Sequence, residues 1–218
     1  MKLPILISFE GIDTTGKTTL VEALAHQLAA LGRGVALKYE SPLDEDVAER
    51  IDDALKKSIF ISEGFGKGPQ AALLFMLYAE CLASQQVRRD AHVVLADRSI
   101  DSIAVYQGAA LQLDDSVDAA RLLDAIETLY LMIGGRVPDL TILLIISNDE
   151  LQRRFNERHG RMPADAEFTE LIRLQERFKY IASMRARYVM FDADMSNQEL
   201  QTTVMRNIKE KFDLRATL

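Results

Sequence analysis

The sequence predicts an α/β fold in which helices cover both faces of a parallel sheet. Two apolar runs, at residues 92–96 and 140–146, lack the polar–apolar alternation of a half-exposed strand. They are therefore expected to be buried on both faces, as strands of parallel sheets are. Segments with apolar residues at helical spacing alternate with such runs, which is typical of a doubly wound fold. No proline-rich linker or repeat interrupts the 218 residues, so one domain spanning 1–218 is expected.

The first half of the chain predicts strands and helices in alternation. Residues 5–9 form a short apolar run, and residues 17–31 carry leucines three or four positions apart, the spacing of a helix face. Gly32 and Gly34 are expected to end that helix before a strand at residues 35–39. A helix, a glycine-rich loop and a long apolar helix are predicted next, at residues 44–57, 62–69 and 70–89.

The second half is expected to complete the sheet and its helical layers. The two buried runs supply the third and fourth strands, and residues 188–191 the fifth. Ligands of such folds bind beyond the carboxyl ends of the strands. The remaining predicted helices lie at residues 116–132, 148–159 and 197–211.

A glycine-containing loop follows the first strand and reads Gly11-Ile12-Asp13-Thr14-Thr15-Gly16-Lys17-Thr18. Its glycines allow tight turns, and its backbone N–H groups converge at the start of a helix, where phosphates bind well. In this pattern the lysine reaches the β and γ phosphates and the final threonine ligates magnesium. The loop predicts a three-layer P-loop NTPase fold that binds a nucleoside triphosphate and Mg²⁺. The expected contacts are Gly11, Asp13, Thr14, Thr15, Gly16, Lys17, Thr18 and Thr19.

The phosphate loop alone does not choose between kinases, motor-type ATPases and GTP switches. A guanine-specific switch normally shows Asn-Lys-x-Asp after a strand, and Ser147-Asn148-Asp149-Glu150 stands in that place here. The motif therefore disfavours a GTP switch.

The third predicted strand is followed by Asp97 and Arg98. An aspartate at a strand end beside a phosphate loop can hold magnesium or accept a proton from an attacking hydroxyl. Arg98 carries a fork of donors that can grip an anionic acceptor. A surface ion pair is the alternative for the two residues alone, but the nearby phosphate loop favours the catalytic interpretation.

A cluster of arginines predicts a short lid at about residues 153–167, where Gly160 and Pro163 interrupt a helix. Such a segment can close over phosphates, exclude water and supply positive charge to the transferring group. A solvated charged face is the alternative. The cluster comprises Arg153, Arg154, Arg158 and Arg161. Most of the later arginines are interpreted as helix-surface residues: Arg173, Arg177, Arg185 and Arg187.

These segments together resemble the thymidylate kinase family over most of the chain. The phosphate loop, preceded by Phe9-Glu10, resembles that of the family, and Leu74-Phe75 resembles the start of its substrate-facing helix. Other resembling segments are Asp97-Arg98, Ser102, Tyr106-Gln107-Gly108, Pro138-Asp139-Leu140-Thr141 and Asp192-Ala193.

The resemblance implies a five-stranded parallel sheet, transfer of the ATP γ-phosphate to a nucleoside monophosphate, and often a homodimer. The best single expectation for the acceptor is dTMP. Because the loop has no basic residue at its variable positions, it resembles the bacterial subtype, in which the lid supplies the catalytic arginine. The implied catalytic residues are Lys17, Asp97, Arg98, Arg153, Arg158 and Arg161. The implied metal ligands are Thr18 and Asp97, and the implied acceptor contacts are Asp13, Tyr39, Phe75, Arg98, Ser102, Tyr106 and Gln107.

Four positions depart from the family pattern around the acceptor. Tyr39 and Ala79 stand where arginines contact the acceptor phosphate and the thymine edge, and Ile103 stands where Asn or Gln is common. Ser99 replaces an aromatic residue, which makes Asp-Arg-Ser similar to the Glu-Arg-Ser of deoxynucleoside kinases. A buried base atom left unpaired costs about 1–3 kcal/mol. A nucleoside, a modified nucleotide or another small acceptor is therefore the rival, and a P-loop ATPase or regulatory module is less favoured.

Charge and composition exclude several other classes. The formal charge of −7 argues against broad nucleic-acid binding, which needs a basic face. Cys81 is the only cysteine, so neither an internal disulfide nor a cysteine zinc site is expected. The apolar run at residues 3–7 is too short for a signal or a membrane span. The sequence therefore predicts a cytoplasmic enzyme that acts on a small nucleotide.

Overall fold

A computed structural model describes residues 3–39, 69–86, 91–111, 113 and 116–214. Within them, five parallel strands form one sheet in the order β2-β3-β1-β4-β5. This sheet, flanked by helices, confirms the predicted fold class. The strands are β1 (Ile5–Glu10), β2 (Val35–Tyr39), β3 (Val93–Asp97), β4 (Leu140–Ile145) and β5 (Tyr188–Asp192).

The described helices pack against the sheet in two groups. The first and last helices contact each other, and the third, fourth and sixth helices contact one another. Among the residues described, none of these helices is long and apolar enough to cross a membrane. The helices are α1 (Lys17–Ala30), α2 (Pro69–Gln86), α3 (Ile100–Ala110), α4 (Ser116–Met132), α5 (Asn148–His159), α6 (Asp165–Ser183) and α7 (Asn197–Phe212).

Burial of the strands follows their place in the sheet. All five residues of β3 are buried, and β4 is buried except at its last residue. This confirms that the two apolar runs are covered on both faces. The edge strands β2 and β5 instead alternate between more and less exposed residues, because successive side chains of a strand point to opposite faces of the sheet.

Most element boundaries lie within two residues of the sequence prediction, and α4 and α5 match it fully. Strand β3 ends one residue later than predicted, so Asp97 is its last residue. Pro69, predicted in a loop, begins α2, a position that suits proline because its missing N–H is not needed there. The predicted helix 44–57 and the rest of the predicted loop, 62–68, lie outside the described residues.

Helix α3, like α6, has no counterpart among the predicted helices. Its first six residues, Ile100 to Val105, are all buried, so the segment lacks the polar stripe that reveals an amphipathic helix. Ser99 caps its N-terminus and accepts a hydrogen bond from the backbone N–H of Asp101. This cap sets the direction in which α3 leaves the end of β3.

The interpretation of the later arginines as surface residues is wrong for three of the four. Arg177 is 1% exposed and donates to the carbonyls of Val105 and Leu113. The Arg185 and Arg187 side chains are 17% and 12% exposed. Arg173 alone is largely solvated, at 43%. The sequence does not reveal this difference because each buried guanidinium pairs with groups distant in the chain.

Candidate active site

The phosphate loop connects β1 to α1, and two glycines allow its conformation. Gly11 has φ 140°, and a Cβ atom there would lie 2.7 Å from the carbonyl oxygen of Leu144 on β4. Gly16 has φ 88° at the N-cap of α1. Both φ values are strained for residues with a side chain. The loop therefore folds closely against β4 and presents the first turn of α1.

Lys17 lies inside this loop. It is 6% exposed, and its ammonium donates to the carbonyl of Ile12 at 2.8 Å and to the Thr15 hydroxyl at 3.4 Å. Burial, followed by the charge of Arg98, lowers the pKa of Lys17 to about 8. A buried ammonium with few partners is suited to binding phosphate oxygens.

Thr14 carries strain inside the same loop. Its φ of 69° is unusual for a β-branched residue, and its buried hydroxyl has no hydrogen-bond partner among the described residues. Strain of this kind persists where the surrounding structure imposes it, which is common at ligand sites.

Thr18 and Asp97 form the pair of oxygen ligands expected for a metal. The Thr18 hydroxyl donates to the Asp97 carboxylate at 2.5 Å, which joins the start of α1 to the end of β3. Mg²⁺ prefers oxygen ligands and often takes only one or two from the protein, with water and phosphates completing its shell. The two residues therefore fit such an ion. No group of three or more acidic, histidine or cysteine residues suited to a metal occurs among the described residues.

Arg98 brings together four of the predicted acceptor residues. Its guanidinium donates to Asp13 at 2.6 Å and to the Ser102 hydroxyl at 3.2 Å, and it lies 4.9 Å from the ring centre of Tyr106. Its own φ is 71°, and its backbone N–H donates to the carbonyl of Phe9. The left-handed conformation turns the chain sharply after β3, so that Arg98 faces the phosphate loop.

The other predicted acceptor residues lie apart from this cluster or outside the description. Tyr39 is 40% exposed and stands opposite Asp97 in the β2–β3 ladder. Gln107 is half-buried on α3, one residue beyond Tyr106. The side chain of Phe75 lies outside the described residues. Ala79 and Ile103, two of the departures from the family pattern, are each 4% exposed and bring no polar group.

The three predicted lid arginines form no hydrogen bond or ion pair with the phosphate loop in the described part of the chain. Arg153 pairs with Glu150 and Glu157 on its own helix. Arg161, beyond the left-handed Gly160 that ends α5, pairs with Glu167. Arg158 is exposed and has no ion pair with a described residue. This segment consists of the end of α5, a connection at residues 160–164 and the start of α6.

Arg154 is the member of the arginine cluster that reaches the phosphate loop, and it is not among the predicted site residues. It donates to the carbonyls of Thr14 at 3.5 Å and Thr15 at 3.3 Å, and to that of Ala193 at 2.5 Å. Glu150 accepts from its Nε at 2.6 Å. Arg154 therefore ties α5 to the loop and to the end of β5. Its position in the arginine cluster was a signal, but sequence alone could not rank it above its neighbours.

Glu10 is a second residue that sequence reasoning missed. It ends β1 directly before the phosphate loop and is fully buried. The hydroxyl of Ser99 lies 2.8 Å from one of its carboxyl oxygens, and Ser102 donates to the other at 2.5 Å. An acidic residue at the end of a buried strand was the available signal, but the serines that hold it come from α3, about 90 positions later.

Comparison with known proteins identifies relatives along nearly the whole chain. A family model described as thymidylate kinase matches residues 9–204. The chain is 32% identical to the thymidylate kinase of Chlorobium luteolum, over 95% of this chain and 98% of the relative. It is 28% identical to that of a Sulfurihydrogenibium species, over 94% and 97%, and 27% identical to that of Dehalococcoides mccartyi, over 97% and 99%.

Proposed function

Because the chain belongs to the thymidylate kinase family, we propose that it transfers the γ-phosphoryl group of ATP to dTMP, forming ADP and dTDP. The observation that carries this proposal is the 2.6 Å contact between Arg98 and Asp13 of the phosphate loop. It places a guanidinium suited to an anionic acceptor beside the loop suited to the donor. An enzyme that only hydrolysed ATP would not need this second anion site.

The donor side is assigned to the phosphate loop. Lys17 and the loop amides bind the β and γ phosphates, and Thr18 and Asp97 hold the magnesium ion. When bound, the ion neutralises charge that develops on the transferring phosphoryl group. Arg154 keeps the loop in place through two of its carbonyls. The remaining predicted loop contacts are assigned to shaping the backbone around the phosphates: Gly11, Thr14, Thr15, Gly16 and Thr19.

The acceptor side is assigned to the cluster around Arg98. An oxygen of the dTMP phosphate attacks the γ-phosphorus as the bond to the β–γ bridging oxygen breaks, and ADP leaves. A phosphate monoester has a second pKa near 6, so it is already ionised at neutral pH and needs no base. Asp97 is therefore assigned to the metal rather than to proton removal. Ser102, Tyr106 and Gln107 are assigned to positioning the acceptor, with Tyr39 at its edge. Phe75 stays a predicted contact of the acceptor.

The arginines at residues 153–167 are assigned to a lid that closes on the bound nucleotides. Arg153 and Arg161 are exposed and paired with glutamates, and exposed ion pairs hold side chains only weakly. Rotation away from these partners, together with exposed Arg158, would bring positive charge to the transferring phosphoryl group.

Turnover with Mg–ATP and a panel of nucleosides and nucleoside monophosphates tests the acceptor. We expect dTMP to be converted to dTDP faster than any other member, with products identified by mass. The buried Ala79 and Ile103 provide a structural reason for a different acceptor, because neither side chain can form a hydrogen bond with the thymine edge. Phosphorylation of another panel member without conversion of dTMP would contradict the proposal. ATP consumption without a phosphorylated product would favour an ATPase instead.

We also propose a homodimer, which the family resemblance implied. Exposed apolar side chains on α2 and at the end of α4 support it: Leu74, Tyr78, Leu129, Leu131, Met132 and Ile133. Leu131, Met132 and Ile133 are consecutive and each more than half exposed, which is more typical of an interface than of a solvated surface.

Sedimentation equilibrium should give twice the 24.5 kDa of the chain. The double variant Met132→Lys/Ile133→Lys should lower that mass to one chain. Met184→Lys, at a residue 63% exposed beyond α6, is the matched control and should leave the mass unchanged. A wild-type protein with the mass of one chain would contradict the proposed dimer.

A further inference from the structure

A chain of buried hydrogen bonds lies beneath the acceptor cluster. Glu10 of β1 and Asp101 of α3 are both fully buried, and the hydroxyl of Ser99 lies 2.8 Å from a carboxyl oxygen of each. The other oxygen of Glu10 accepts from Ser102 at 2.5 Å, and Ser102 in turn accepts from Arg98. Glu10 is therefore two hydrogen bonds away from the guanidinium assigned to the acceptor.

The hydrogen bonds around Ser99 need more protons than its hydroxyl can supply. Two contacts of 2.8 Å join Ser99 to two carboxyl groups, but a serine hydroxyl carries one proton and can donate to only one of them. The second contact needs a proton on a carboxyl group. Two ionised carboxylates at that spacing, without water around them, would repel each other strongly.

Asp101 is the member of the pair that is stabilised as an anion. Arg187 donates to both of its oxygens, at 2.7 and 3.3 Å, and Tyr188 donates to it as well. No guanidinium or ammonium donates to Glu10 among the described hydrogen bonds. The additional proton therefore belongs on Glu10, which then donates to Ser99 while Ser99 donates to Asp101.

We propose that Glu10 is a positioning residue held as a neutral carboxylic acid, which orients Ser102 and Arg98 without neutralising the positive charge reserved for nucleotide phosphates. An ionised Glu10 would attract the two cations of the site, Arg98 and Lys17. Its neutral form keeps the hydrogen bonds but removes that competition. The claim that phosphates need the charge of Arg98 and Lys17 rests on the proposed binding of nucleotides by these two residues.

The charged surroundings of Glu10 agree with this assignment. Burial, followed by the charge of Asp101, raises the pKa of Glu10 to about 8, while the serines and Arg98 oppose the change. The titratable and charged groups that face it come from the phosphate-loop helix, the turn after β3, helix α3 and strand β5 with its preceding residue. They are Lys17, Arg98, Asp101, Tyr106, Arg187 and Tyr188.

The proposal links nucleotide binding to this proton. Phosphate charge added next to Glu10 makes its ionised form less favourable, so a bound nucleotide should raise the pKa of Glu10 further. Linkage is reciprocal. Nucleotide affinity should therefore fall once the pH exceeds the pKa that Glu10 has in the free protein. The fall should equal the factor by which bound nucleotide changes the acid dissociation constant of Glu10.

Carbon-13 NMR of the whole protein, labelled at glutamate side-chain carboxyl carbons, tests the proton directly. The Glu10 signal is the one absent from Glu10→Gln. We expect its midpoint near pH 8 in the free protein. A midpoint in the ordinary acidic range of glutamates would overturn the proposal. Asp101→Asn removes the neighbouring negative charge and should therefore lower the midpoint of the Glu10 signal. If Glu10→Gln does not fold, this lowered midpoint identifies the Glu10 signal instead.

Addition of ADP, with binding followed separately by calorimetry, tests the link to nucleotides. We expect the Glu10 midpoint to rise when ADP is bound, and ADP affinity to fall above pH 8 in the wild type more steeply than in Glu10→Gln. Bound ADP with an unchanged midpoint would overturn the link. If ADP does not bind at all, the proposed function fails, while the titration of the free protein still decides the state of Glu10.

Discussion

Replacement of Lys17 by methionine is expected to reduce phosphoryl transfer by at least about 10²–10³-fold, the usual effect of losing one donor to charge that develops in a transition state. The ammonium lies within the phosphate loop, where it donates to the carbonyl of Ile12. Bound phosphates would offer it far stronger partners than this carbonyl. Steady-state kinetics with Mg–ATP and dTMP measure the loss.

The same substitution is expected to leave the fold at least as stable. Burial and the nearby Arg98 lower the pKa of Lys17 to about 8, so below pH 8 the protein carries an ammonium that destabilises the folded state. This penalty is relieved as the pH rises from about 8 towards the higher pKa of the unfolded chain. Methionine keeps most of the aliphatic stem and removes the charge. A loss of activity without a loss of stability therefore identifies a functional role.

Lys211→Met is the matched control, because Lys211 is exposed in the last turn of α7. It should change neither turnover nor stability measurably. Near-normal turnover of Lys17→Met would contradict the assignment of the phosphate loop to the donor.

The parts of the site that could be predicted are those in which neighbouring residues carry the chemistry. The segment from Gly11 to Thr18 holds its glycines, lysine and threonine within eight positions, so local sequence alone indicates a phosphate loop. Asp97 and Arg98 follow an apolar run and so mark the end of a strand. The strands were predictable for a similar reason, since central strands of a parallel sheet are continuously apolar.

The parts that could not be predicted depend on partners far apart in the chain. Glu10, Asp101 and Arg187 are ordinary charged residues in the sequence, and only the fold shows that they share a hydrogen-bond chain. Arg153 and Arg154 are adjacent in the sequence, but their side chains leave α5 about 100° apart. Arg154 therefore reaches the phosphate loop, whereas Arg153 is exposed to solvent. A sequence pattern gives spacing along a helix but not the direction of its neighbours.

Replacement of Arg187 by methionine is expected to lower the free energy of unfolding by about 3–5 kcal/mol, the usual cost of removing one partner of a buried ion pair. Arg187 donates to Asp101 at 2.7 Å, to Glu127 at 2.5 Å and to Thr141 at 2.9 Å. Without it, the fully buried Asp101 loses its cation. Denaturant unfolding followed by circular dichroism measures the change.

Arg173→Met provides the comparison, because the sequence pattern does not distinguish these two arginines. Arg173 is 43% exposed, and a carboxyl oxygen of Glu170 lies 3.8 Å from its guanidinium. Such surface pairs contribute little, so this variant should lie within about 0.5 kcal/mol of the wild type. Equal losses for the two variants would show that the buried network does not stabilise the fold.

A double-mutant cycle separates the charge of Asp101 from the packing of Arg187. Asp101→Asn in the Arg187→Met background removes the unpaired anion, so it should recover part of the lost stability, whereas in the wild type it should be destabilising. A change of sign between backgrounds is the signature of direct coupling. Additive losses would mean that Arg187 acts through packing alone. Recovery would show that the carboxylate beside Ser99 is charged, which the proposed proton on Glu10 requires.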